Sequence, residues 1–189
     1  MKSVPPDSTC SSTLESIRQN PKFARLLGFS VNNLSELLKT INPKHRVNAY
    51  FIMEEKGHLN LVQALKDHKK NESLVFSVLQ CLVRIISSNK QFQEEYCFKI
   101  VQVGAPLAIH ELINAINKNS EAMRLTMPLI GYLAVSRANV QQLIEAGLMD
   151  DCVMIIKDPT VDEDISHAAM ETLIKFTNHP KAKQELIKP

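Results

Sequence analysis

The chain has 189 residues, 44% of them hydrophobic, which is enough for one domain with a real core and too apolar for a disordered chain. Five glycines, no tryptophan and 5% aromatics argue against a β-sandwich or barrel, which would need turn residues about every ten positions. A net charge of +2 over 22 basic and 20 acidic residues supplies no strongly basic face, so nucleic acid is not an expected partner.

From the N-terminus, residues 1–13 are polar, contain no apolar run of signal-peptide length, and read as a disordered tail. Residues 14–56 read as a degenerate N-terminal cap, with "NPKFARLL" (Asn20 to Leu27) as a first helix and "GFSVNNLSELLKTI" (Gly28 to Ile41) as a second. The stretch "NPKHRVNAYFIMEEKG" (Asn42 to Gly57) is too short for a long third helix followed by a new first helix.

From Gly57 the chain repeats itself. Short segments opening with glycine, "GHLNLVQALKDH" at Gly57, "GAPLAIHELINAI" at Gly104 and "GLMDDCVMIIKD" at Gly147, each precede a longer apolar helix. Those helices begin at Leu74, Ala122 and Ile165 and align without a gap at shifts of 48 and 43 residues. The units are therefore 57–89, 90–137, 138–179 and a partial one, 180–189. In the last full unit Leu148, Cys152, Ile155 and Ile156 fall on one helical face, and Pro159 stops that helix. Pro128, in the middle of "AMRLTMPLIGYLAV", is expected to distort its helix. Met123, Met127, Met149, Met154 and Met170 sit at apolar positions and read as core filler.

A period in the forties with the stretches "YLAVSRANVQQLIEAG" and "LIEAGLMDDCVMIIKD" resembles the armadillo repeat. The resemblance implies an all-α, right-handed superhelical solenoid of about three full repeats, in which each unit buries its apolar face only against its neighbours. It also implies a protein-binding scaffold or adaptor, with the long third helices lining the concave side. The alternative of a different class is a chaperone cofactor, similar to the nucleotide-exchange factors of heat-shock chaperones or to myosin-chaperone modules.

The chain offers no catalytic grouping: no phosphate loop, no G-x-S-x-G and no H-E-x-x-H. His110 beside Glu111 is the nearest approach to a reactive pair, and neighbouring helical residues do not face each other. Neither a cofactor nor a metal is expected. Cys10, Cys81, Cys97 and Cys152 lie far apart, without metal-ligand spacing, and read as reduced thiols of a cytoplasmic protein. No stretch reaches the length of a membrane span.

The tryptophan and asparagine positions of nuclear-import adaptors fall on Gln80 and Arg84, Pro128 and Tyr132, and Glu171 and Lys175, so this chain departs from that receptor. With Phe76, Arg124 and His167 one turn earlier, the candidate groove comprises Phe76, Gln80, Arg84, Arg124, Tyr132, His167, Glu171 and Lys175. Its chemistry suits a protein or peptide carrying carboxylates, with Phe76 and Tyr132 as anchors. Leu186 and Ile187 read as core residues awaiting a partner, from which end-to-end self-association or a longer array is expected.

Overall fold

The computed structural model describes residues 5–42 and 44–177, and among them every regular element is a helix. In chain order these are α1 (Ser8–Gln19), α2 (Ala24–Leu37), α3 (His45–Glu54), α4 (Gly57–Asp67), α5 (Glu72–Ser88), α6 (Gln93–Gln102), α7 (Ala105–Ile113), α8 (Glu121–Leu133), α9 (Arg137–Glu145), α10 (Leu148–Lys157) and α11 (Glu163–Thr177).

The three-helix set α3–α5 recurs as α6–α8 and again as α9–α11. The second helix of each set starts at Gly57, Ala105 and Leu148, reproducing the shifts of 48 and 43 residues seen in the sequence. The long helices stack in a row, α2 on α5, α5 on α8 and α8 on α11, and α4, α7 and α10 form a second row. Apolar residues at helical spacing build the row. A shift of 47 residues carries the buried Leu27, Val31, Leu34 and Leu38 of the α2 segment onto the buried Leu74, Val78, Cys81 and Ile85 of α5. Asn71 and Ser120 cap α5 and α8, each accepting a backbone N–H three residues on at 3.2 Å.

Several sequence expectations change in the N-terminal part. Gly28 is not a bend. It lies inside α2, which runs unbroken from Ala24 to Leu37, because its apolar stripe continues across the glycine. The stretch read as two short helices is thus one long helix, stacked on α5 as α5 is on α8. Helix α1 begins at Ser8, within the stretch taken for a disordered tail, because Cys10, Leu14 and Ile17 form a buried stripe. The segment from His45, assigned by sequence to the cap, is the first helix of the set that continues through α5.

A positive-φ residue precedes each second helix: Gly104 (φ 86°), Gly147 (φ 89°) and, in the first set, Lys56 (φ 58°) rather than Gly57. The three stand 48 and 43 residues apart, the same shifts as the helices. Gly57 is needed for a different reason: a Cβ there would lie 2.7 Å from Ile52 Cγ2 and 2.8 Å from Leu14 Cδ1.

Pro128 does not interrupt α8, which is one helix from Glu121 to Leu133. The proline is half-buried on the outward side of the row, so the carbonyl of Arg124, deprived of its donor, faces the wetter side of the helix. Met123, Met127 and Met149 are buried as expected, whereas Met154 and Met170 are exposed. Met170 and Ile174 are the counterparts, 43 residues on, of Met127 and Gly131, which α11 covers in α8. Leu186, Ile187 and the partial unit 180–189 lie outside the described residues.

Candidate functional site

The row of long helices presents an outward strip, and the eight groove residues read from the sequence fall on three of its helices, α5, α8 and α11. On α5, Phe76, Gln80 and Arg84 are half-buried. Arg84 reaches back to α2: its Nη1 donates to the Ser35 carbonyl at 2.7 Å and also to the Ser35 hydroxyl, which itself donates to Gln80 Oε1 at 3.2 Å. Arg84 therefore serves in part as a tie between two stacked helices. On the α8–α11 side, Lys175 Nζ lies 5.4 Å from the centre of the Tyr132 ring, a cation–π contact across the helix boundary. His167 and Glu171 are exposed and one turn apart, with 3.9 Å between Nδ1 and Oε1.

Arg124 differs from the cation that the sequence reading placed in the groove. It is ion-paired to Asp162 and Asp164 at the entry of α11 and lies 3.4 Å from Glu121. Its guanidinium is already surrounded by carboxylates, and an acidic ligand would have to displace them. Asp162 and Asp164 thus act on the neighbouring unit's arginine, and Glu163 and Asp164 stand in the first turn of α11, where they favour the helix dipole.

The part of the strip that sequence reasoning missed is α2. With α2 in the row, Phe29 takes the place of Phe76 and Asn33 that of Gln80, at the same shift of 47 residues. Phe23, just before α2, and Leu26 and Phe29, one turn apart on it, are 65%, 53% and 68% exposed. The signal was in the sequence, but splitting the helix at Gly28 put these residues on two different elements.

The ionisable groups elsewhere have structural surroundings. His110 does not pair with its neighbour Glu111, which instead meets Lys69 at 3.0 Å. Its Nδ1 lies 2.7 Å from Oδ2 of Asp151 on α10, a contact that joins α7 to α10. Burial raises the Asp151 carboxyl above its usual range, against the lowering effect of the His110 hydrogen bond. All four cysteines are buried, and burial pushes each thiol up to about 12, which leaves essentially no thiolate at neutral pH. Among the described residues no group of three His, Cys, Asp or Glu side chains is arranged to hold a metal ion, and no helix is long and apolar enough to cross a membrane.

Compared with known proteins, the chain matches no family model and no curated sequence.

Proposed function

We propose that the chain is an armadillo-like, right-handed superhelical solenoid acting as a non-catalytic protein-binding scaffold or adaptor, with the stacked third helices as its binding side. The observation that carries this reading is the row α2–α5–α8–α11, in which equivalent positions of successive helices line up into one strip about four helices long. Neighbouring helices pack roughly 8–10 Å apart, so the strip extends for about 30 Å, the reach of a segment of about nine extended residues. The three-helix repeat with a left-handed residue before each second helix supports the armadillo reading.

The test is site-specific photo-crosslinking in a cytosolic extract, with the crosslinker placed at Gln80 on the strip or at the exposed Leu107 on α7. Discrete adducts from position 80 and none from 107 are expected. Adducts only from 107 would move the binding side to the second helices. Recovery of a heat-shock chaperone as the dominant, nucleotide-sensitive adduct would replace the scaffold with a chaperone cofactor.

A further inference from the structure

We infer that the N-terminal end of this strip, formed by α2 and α5, binds an extended acidic peptide with large apolar side chains. The inference rests on the scaffold reading above and assigns it a ligand class and a place.

Apolar anchorage comes first. Leu26 and Phe29 lie one turn apart on α2 and Phe23 stands just before its first residue; all three are more than half exposed. Phe76 continues the patch at the equivalent position of α5, half-buried against the core. One turn beyond each phenylalanine stands an amide, Asn33 after Phe29 and Gln80 after Phe76. An aromatic face followed by an amide donor and acceptor, repeated on adjacent helices, suits an extended backbone whose side chains alternate between the wall and solvent. A bilayer would cover the same phenylalanines but would strip water from the amides without replacing their hydrogen bonds.

Charge then selects the ligand. The entry of α2 and the α4–α5 connection flank an open, shallow cleft lined by Ala24 and residues 66–71. His68 Nε2, 2.8 Å from the Pro21 carbonyl, holds the two sides together. Lys70, which lines it, and Lys22 and Arg25, which lie within two residues of Ala24 in the chain, are exposed and, among the described residues, in no ion pair. Asp67 and Glu72 accept only neutral donors, Gln63 at 2.8 Å and the Asn117 backbone, and keep their charge, so the cations outnumber rather than escape the carboxylates nearby. Here the cations are available to a ligand, whereas at the other end of the strip Arg124 is already neutralised. Residues 66–71 thus form one wall of the cleft.

The experiment is to pan a displayed library of random linear peptides on the full chain, then measure binding of the enriched peptides to the wild type and to three variants. Phe29→Ser and Lys70→Glu alter the proposed site; Lys175→Glu alters the far end of the strip. All three positions are exposed, and retention of the wild-type melting temperature confirms folding. Enriched peptides should carry Asp or Glu beside Leu, Ile or Phe. Phe29→Ser should weaken them at least tenfold, Lys70→Glu severalfold and in a salt-dependent way, and Lys175→Glu less than twofold. Peptides sensitive to Lys175→Glu but not to Phe29→Ser would overturn this site and leave the scaffold reading standing. No enrichment at all would overturn both. Phe29-dependent binding to phosphatidylserine vesicles, or a dimer dissolved by Phe29→Ser, with no enriched acidic peptide, would reassign the patch to a membrane surface or a second copy.

Discussion

Alanine at Gly147 and glycine at Lys56 should change stability in opposite directions, although the two substitutions fall on equivalent residues of the repeat. Gly147 has φ 89°, where a residue with a Cβ is disfavoured by about 1–2 kcal/mol. The stiffer unfolded chain of an alanine returns roughly 0.4–1 kcal/mol of that. The new Cβ would also lie 3.3 Å from Cε1 and Nδ1 of His110. Moving the ring weakens its 2.7 Å contact with the buried Asp151, and an unmatched buried carboxylate costs about 1–3 kcal/mol. Gly147→Ala should therefore destabilise by about 2–3 kcal/mol, lowering the melting temperature by roughly 4–10 °C for a chain of this size. Lys56 is held at φ 58° and already bears the left-handed penalty. Lys56→Gly relieves about 1–2 kcal/mol and gives back roughly 0.5–1 kcal/mol in unfolded-state entropy, for a net gain on the order of 0.5–1 kcal/mol. Urea titrations followed by far-ultraviolet circular dichroism would measure both. A Lys56→Gly chain less stable than the wild type would refute the assignment of Lys56, rather than Gly57, as the counterpart of Gly104 and Gly147.

His58 is buried, and burial with Lys99 and Lys56 nearby lowers its pKa below the ordinary 6.5. The folded state therefore binds this proton less readily than the unfolded one, so His58 should cost stability as the pH falls below about 6.5; a His58→Leu chain whose pH profile keeps the wild-type slope there would disprove the attribution. Arg84→Ala removes a charged donor from the Ser35 carbonyl and should cost about 1.5–3 kcal/mol in urea unfolding, whereas a change under about 0.5 kcal/mol would mean the tie between α2 and α5 is dispensable. Thr172→Val deletes the 2.9 Å bond to the Met127 carbonyl across the α8–α11 boundary and should cost about 1 kcal/mol; no measurable loss would show that packing alone holds that junction. The four buried thiols should stay unreactive toward a disulfide reagent until the chain unfolds, and rapid titration of any one in the native protein would contradict its placement.

The regular part of the fold was legible because α5, α8 and α11 carry long apolar stripes at helical spacing, and two of three left-handed corners are glycines. The errors share one cause. Glycines opening an apolar segment were read as helix boundaries, but Gly28 lies in a helix whose stripe of Leu27, Val31 and Leu34 runs past it, while Lys56 bends without being glycine. Only the packing distinguishes these cases. At the N-terminus, "STCSST" looks polar, and its helix depends on Cys10 joining Leu14 and Ile17 beneath neighbours distant in sequence. The candidate site followed the same division. Phe76 and Gln80 were found from the repeat, but Leu26 and Phe29, which share α2, were divided between two helices. That Arg124 is neutralised depends on how the next unit's entry, Asp162 to Asp164, folds back against it, which periodicity does not encode.

The most direct measurement is a backbone amide NMR titration of the full chain with an enriched acidic peptide. Shift changes concentrated at Leu26, Phe29, Asn33, Phe76 and Gln80, fading along α8 toward α11, are the predicted result. Changes concentrated on α1, α4, α7 and α10, with the row of long helices unmoved, would contradict the claim that this row is the binding side.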